Sequence, residues 1–287
     1  MNETTEQVNN VPNPTGKGGF GEHPENINAG GRPKNSLKSY LARKLAGMSD
    51  EEKEKWLKEN NIDGKIIQLK DKNWRIANLY KIRDKEGRLI KFRRNRTQNH
   101  FNNHLHTRNL ILKSRQLGFT TDEVIDGLDE VLFNPNRDIL LIAHNLEAGE
   151  SIFTKKINFA WEKIRPEIRE LYQVDNKTSK TLKFNFGNKG FSSIAVDTSG
   201  RSGTYHRVHI TEFADLCKKY PKKVIDIIEG TIPAVPTTGR IDIESTSQGA
   251  SGEFFEMFMN AWNKGEPTSP LEWKAHFYNW TWDDAEL

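Results

Sequence analysis

Leu110-Ile-Leu-Lys-Ser-Arg-Gln-Leu-Gly-Phe-Thr-Thr121 decides how the rest of the chain is read. An apolar strand runs into a glycine turn, and two threonines then open a helix through Asp122-Glu-Val-Ile125. The usual phosphate-gripping loop is Gly, four residues, then Gly-Lys-Ser/Thr. Here Lys113 stands in the first glycine's place, Gly118 in the second's, Phe119 in the lysine's and Thr120 in the hydroxyl's. Such a loop needs backbone N–H groups aimed at phosphate oxygens, a helix N-terminus behind them, a mobile cation and a hydroxyl for magnesium. All four are present, with the lysine moved to the front. The expected nucleotide-binding loop is therefore Lys113, Ser114, Arg115, Gln116, Leu117, Gly118, Phe119, Thr120 and Thr121. Either Lys113 or Arg115 can reach the β- and γ-phosphates, and the sequence leaves that choice open. The plainer alternative is a threonine-capped helix start with both cations in solvent.

Outside this stretch, composition sets the bounds. A chain of 287 residues holds one sizeable α/β domain plus an appendage. With 29% charged and 35% hydrophobic residues and no long apolar run, neither a membrane span nor a signal peptide is expected, and the protein is expected to be soluble and intracellular. Cys217 is the only cysteine, which excludes an internal disulfide and any cysteine-clustered metal site. His100, His104 and His106 fit a solvated basic strip better than a metal site. Net charge is only +4, yet Lys81 to Arg115 carries eleven lysines and arginines against Asp84 and Glu86. That local excess points to a polyanion, nucleotide or nucleic acid, with a solvated charged face as the alternative.

Residues 1–33 are rich in Asn, Gly, Pro and Thr and lack apolar periodicity, so a disordered arm is expected there. A short helical segment follows over 34–72, with Ser49-Asp-Glu-Glu52 opening a helix through Trp56 and Leu57. The main domain then occupies 73–287. Trp74 to Phe92 alternates around Lys85-Glu-Gly87 and is expected as a β-hairpin. Strands are expected at Asn109–Leu112, Asp138–Ala143, Val208–Thr211 and Ile241–Ser245, with helices between them, which is an α/β fold with a mostly parallel sheet flanked by helices. Thr181–Phe186 and Phe191–Val196 flank Gly187-Asn-Lys-Gly190 as an inserted antiparallel hairpin.

Three further pieces carry chemistry. Val208-His-Ile-Thr-Glu212 ends an apolar strand on Glu212, placed to act as general base or to orient an attacking water. Thr211 occupies the preceding position, where an acidic residue usually serves the metal. Together Thr120 and Glu212 are the expected Mg2+ residues. Glu244-Ser-Thr-Ser-Gln-Gly249 sets small hydroxyls and an amide at a strand end, able to sense the γ-phosphate. Ser199-Gly-Arg-Ser-Gly-Thr204 places Arg201 in a loop, where it could stabilise transition-state charge or bind DNA phosphate. Gln98 offers an amide that could read adenine, and a solvated turn is equally compatible with Arg96-Thr-Gln98.

In this order the motifs resemble the ATPase domain of the large terminase subunit of tailed bacteriophages, over about Tyr80 to Leu287. Ser114-Arg-Gln-Leu-Gly-Phe-Thr-Thr121 is similar to that family's phosphate loop, the Glu212 segment to its second motif, and Ser245, Thr246, Ser247, Gln248 and Gly249 to its coupling motif. The resemblance implies a P-loop ATPase fold of the additional-strand class, ATP and Mg2+ as cofactors, and Glu212, Arg115 and Arg201 as catalytic residues, Arg201 as a candidate arginine finger. It also implies packaging of double-stranded DNA into a procapsid by a homo-oligomeric ring at the portal vertex. The implied partners are the portal protein and the terminase small subunit, in the host cytoplasm and away from membranes. The family's C-terminal nuclease is expected to be absent, because Asp283 and Asp284 alone make no nuclease site. Two other readings are a helicase-like translocase and a nucleotide- or DNA-binding module without hydrolysis.

Overall fold

The computed structural model describes residues 48–59, 69–170, 172–200 and 203–282, all within the unit Asn35–Leu287. The arm over 1–33, much of the 34–72 segment, and Arg201 lie outside the described residues.

Ser49 and Glu52 open helix α1 (Asp50–Glu59) as a reciprocal capping box: the Ser49 N–H donates to the Glu52 carboxylate and the Glu52 N–H to Ser49 Oγ. Asp71 caps α2 (Lys72–Asn78) by accepting from the Asn73 N–H at 2.8 Å. This helix takes Trp74 out of the expected hairpin, which is confined to β1 (Lys81–Arg83) and β2 (Leu89–Lys91). The reason is tertiary: the Arg75 guanidinium is buried against the Asp129 carboxylate, and Ile76 enters the core.

Next come α3 (Arg96–Asn103), β3 (Arg108–Lys113), α4 (Phe119–Phe133), β4 (Asp138–Ile142) and α5 (Leu146–Ile152). The last continues through a π-helical stretch, Phe153–Asn158, into Phe159–Glu162. They are followed by β5 (Gln173–Lys177), β6 (Thr181–Asn185), β7 (Phe191–Asp197), β8 (Arg207–Thr211), α6 (Phe213–Lys219), α7 (Pro221–Asp226), β9 (Arg240–Ser245), α8 (Glu253–Lys264) and β10 (Lys274–Tyr278). One eight-stranded sheet has the order β10-β3-β9-β8-β4-β7-β6-β5. It is parallel from β10 to β7, and β6 and β5 close it antiparallel. The expected hairpin of β6 and β7 forms, but β7 also pairs in parallel with β4, so the hairpin extends the sheet. β9 lies between β3, which feeds the glycine turn, and β8, which ends at Glu212. That intervening strand defines the additional-strand P-loop architecture.

The two faces of the sheet are chemically different. On one, Leu110, Val208, Ile210, Ile241 and Ile243 pack with Phe213, Phe254 and Phe258 of α6 and α8. On the other, β8 presents Arg207 and His209, and β9 presents Arg240, Asp242 and Glu244, every one beneath α4 or beside it. The helix meets them with an acidic face. Arg207 pairs with Glu123 and donates to Asp126 at 2.7 Å; Arg240 donates to Glu123 at 2.9 Å and to Asp242 at 2.6 Å; Arg94 donates to Asp122 at 2.6 Å. Around this ionic layer, Val124, Ile125, Leu128, Val131 and Leu132 of α4 join an apolar cluster with Ile139, Leu141 and Ile194. A charge sequestered this way is tolerated only with its partners in place, and removal of one partner costs about 3–5 kcal/mol. The basic run of 81–115 is divided by the same logic. Arg94, Arg108 and Lys113 turn inward, while Arg83, Lys85, Lys91, Arg93, Arg96 and Arg115 stay exposed.

Candidate active site

β3 ends at Lys113 because Ser114 is the last residue to pair with the edge strand, its N–H donating to the Tyr278 carbonyl at 2.8 Å. The chain then turns through Gln116 at φ 65 and Gly118 at φ 78, both left-handed. A side chain at Gly118 would also meet Gln98 Nε2 at 2.7 Å, so glycine is required for conformation and for space. Among the described residues no internal acceptor takes the backbone N–H groups of Arg115, Gln116, Leu117 or Gly118. Four such donors at the head of a 15-residue helix are what an anion cradle requires.

The turn is braced from below. Asn95 and Gln98 form a capping box at the start of α3, the Asn95 N–H donating to Gln98 Oε1 at 2.9 Å. Gln98 Nε2 donates to the Gly118 carbonyl at 2.9 Å, and Asn95 Nδ2 to the Leu117 carbonyl at 3.2 Å. The Gln98 amide thus ties the loop to the helix cap, its oxygen accepting from Asn95 and its nitrogen donating to Gly118. Phe119 does not enter the cleft: it is buried with Phe101, Ile111, Leu117 and Tyr278, its ring 5.5 Å from that of Phe101. An aromatic ring in the usual lysine position serves here as the peg that anchors the helix start.

Lys113, at the end of β3, meets two carboxylates. Its Nζ lies 3.4 Å from Glu212 Oε1 and 3.6 Å from Glu244 Oε2, bringing together residues far apart in sequence. Burial works against the ammonium, but the two carboxylates hold its pKa above the ordinary value. Arg115 sits exposed on the turn, beside Lys113 in a cleft of about 410 Å3 that Gln116, Glu212, Asp215, Thr246 and Gln248 complete. Glu212 leaves β8 at φ 54 and ψ 45, a conformation that costs a residue with a side chain roughly 1–2 kcal/mol. The strain turns its half-exposed carboxylate back toward the cleft. Thr246 Oγ1 donates to Glu212 Oε2 at 3.4 Å, and the Ala214 N–H donates to Ser245 Oγ at 3.0 Å. Ser245 and Thr246 therefore tie the end of β9 to Glu212 and to the start of α6. Ser247, Gln248 and Gly249 continue this turn, Gly249 at φ 112. A larger, mostly apolar cavity of about 790 Å3 beyond the turn is lined by neither Lys113 nor Glu212.

Two residues of the site carry no local signature. Glu244 is fully buried on β9; the Thr120 hydroxyl donates to its Oε1 at 2.6 Å, and His209 Nε2 lies 3.1 Å away. Burial pushes this carboxyl up, and the Lys113 ammonium, with the hydrogen bonds from His209 and Thr120, overcomes that and holds it at about 2. Lys156, in the π-helical stretch, donates to Thr121 Oγ1 at 2.5 Å, and burial lowers its pKa. Glu244 lay in a quoted motif without a role, and Lys156 in an ordinary helical pattern. Only the fold brings them to the turn.

A divalent cation fits this donor set. Thr120 provides a hydroxyl whose proton is already engaged, Glu212 and Glu244 provide carboxylates, and Glu244 Oε2 is buried without a hydrogen-bond partner. Among the described residues no cluster of three or more His, Cys, Asp or Glu side chains could hold a metal unaided, so phosphate oxygens and water would have to complete the shell.

No protein-family model matches the sequence. No curated protein matches it either. Solved structures do resemble it in fold. The large terminase ATPase domain of Thermus phage P74-26 superposes with a TM-score of 0.42 and 17% identity, over 62% of this chain and 77% of that one. A large terminase from another thermophilic bacteriophage, in complex with ADP, gives 0.40 and 12% over 63% and 42%. A DEAD box protein from the hyperthermophile Methanococcus jannaschii gives 0.36 and 12% over 62% and 46%. In its fold, then, this chain is similar to phage large terminase ATPase domains and to a DEAD box protein.

Proposed function

We propose that this chain hydrolyses ATP with magnesium to drive double-stranded DNA into a procapsid, as the ATPase part of a large terminase. The observation that carries the hydrolytic reading is the meeting of Lys113 and Glu212, 3.4 Å apart, beside a turn whose N–H groups at 115–118 have no internal partner among the described residues. The N–H groups of 115–118 and the start of α4 bind the phosphates. Lys113 exchanges its carboxylate partners for phosphate oxygen when nucleotide enters, and that exchange releases Glu212 to orient water for in-line attack. Thr120 would hold magnesium, which would supply positive charge to offset that of the phosphates. Arg115, exposed on the turn, adds a second cation to the phosphates. Ser245 and Thr246 pass the state of the site to α6 through Ala214 and Glu212.

The DNA-packaging part rests on the likeness of Ser114–Thr121, Glu212 and Ser245–Gly249 to terminase motifs, and on the exposed cations Arg83, Lys85, Lys91 and Arg93 as a surface for a polyanion. Portal protein, small subunit and a ring of copies at the portal vertex belong to the same proposal. Purified protein should show magnesium-dependent ATP hydrolysis that double-stranded DNA stimulates, and Glu212→Gln should abolish turnover while retaining nucleotide. Normal turnover in that variant would overturn the assignment. Unwinding of duplex DNA, in place of stimulation by it, would favour a helicase-like translocase.

A further inference from the structure

Magnesium bound beside Thr120 needs an anchoring carboxylate, and the residue before Glu212 does not provide one: Thr211 has only a hydroxyl. Directly across the ladder, however, the register pairs Thr211 with Glu244. Glu244 has no exposed surface, its Oε1 takes the Thr120 proton at 2.6 Å, and its Oε2 is buried with no hydrogen-bond partner, 3.6 Å from Lys113 Nζ. A hydroxyl has one proton and two lone pairs. With the proton committed to Glu244, the oxygen of Thr120 is left as a pure electron-pair donor, which is what a cation requires. His209, on the same face of β8, lies 3.1 Å from Oε1 and fixes the carboxylate from behind.

We infer that Glu244, reaching across from the intervening strand, supplies the anchoring carboxylate of the magnesium site in place of the acid missing at Thr211. It orients the Thr120 hydroxyl as a ligand and offers Oε2 to the cation's hydration shell. The requirement for a carboxylate is met one strand over from its expected place. The inference rests on the nucleotide-binding reading above and deepens it.

The test uses the full chain, with Mn2+ as a paramagnetic probe for magnesium and a non-hydrolysable ATP analogue. Free and bound Mn2+ are counted by electron paramagnetic resonance, and metal-free analogue binding is measured separately by fluorescence. Glu244→Gln preserves shape and an acceptor for Thr120; it should weaken Mn2+ binding about 10- to 100-fold without weakening metal-free binding of the analogue, since it also frees Lys113 from a carboxylate. Adding Thr211→Asp to it should recover most of the loss. Glu244→Asp keeps the charge but withdraws it by one methylene, and should fall between the two; it decides the matter if the glutamine variant does not fold. Wild-type Mn2+ affinity in the folded variants would overturn the inference. So would an equal loss of metal-free binding, the mark of a purely structural carboxylate. Failure of the wild-type protein to bind the analogue at all would instead overturn the proposed function, and this inference with it.

Discussion

Gly118→Ala is the sharpest probe of the proposed phosphate turn, because the molecule contains its own control. Gly118 and Gly87 have nearly the same positive φ, 78 and 79, so an alanine at either pays the positive-φ penalty of roughly 1–2 kcal/mol. Their surroundings differ. A Cβ at Gly87 meets nothing within 4 Å, whereas at Gly118 it falls 2.7 Å from Gln98 Nε2. Gln98 must withdraw, which removes its bond to the Gly118 carbonyl, about 1 kcal/mol, and loosens the Asn95 capping box by a comparable amount. Gly118→Ala should therefore cost about 1–2 kcal/mol more than Gly87→Ala in equilibrium urea unfolding, read as a lower midpoint at unchanged slope. It should also weaken ATP binding, while Gly87→Ala leaves it alone. Pairing Gly118→Ala with Gln98→Ala should be less than additive, because the clash disappears with the amide. Equal destabilisation by the two alanines, or strict additivity of the pair, would refute the bracing of the turn by Gln98.

Other outcomes follow from the same contacts. Arg207→Met leaves the carboxylates of Glu123 and Asp126 short of a partner beneath α4, and chemical denaturation should show a loss of about 3–5 kcal/mol. Arg115→Ala should keep stability within about 0.5 kcal/mol of the parent, since the side chain is exposed, while steady-state ATP turnover drops strongly. Because the Glu244 carboxyl is held at about 2 against an ordinary 4.5, its stabilisation is complete above the ordinary value and fades as pH falls toward the lower one. Melting curves should accordingly lose up to about 3 kcal/mol between pH 5 and pH 2 in the parent, with a flatter acid limb in Glu244→Gln.

The strand-turn-helix core was legible because its cues are local. Leu110, Ile111 and Leu112 mark a strand, Gly118 a turn, and the apolar spacing from Val124 to Leu132 a helix. The opening of α1 was equally plain from Ser49 and Glu52. What escaped was whatever depends on distant partners. β5 and β10 are polar or aromatic-rich segments whose strand character comes from neighbours, β10 joining β3 from Lys274–Asn109 to Tyr278–Lys113. α2 was hidden because Trp74 also fits an alternating pattern. Arg240, Asp242 and Glu244 alternate with isoleucines, which reads as a half-solvated strand, yet all that charge faces α4. For the same reason Glu244 and Lys156 had no signal of their own: a carboxylate on a strand and a lysine on a helix become part of a site only when the sheet order sets them beside Thr120 and Thr121.

The ionic layer beneath α4 has a mechanical consequence. Oily contacts let one element creep over another, since any methyl can replace its neighbour; matched charges do not, because a slip of one residue sets like against like. The helix carrying the glycine turn is thus locked to its bed at a single setting, as a rivet fixes a plate. Any sliding of one element over another is left to the opposite, greasier side of the sheet, where α6 and α8 rest on aliphatic and phenyl groups.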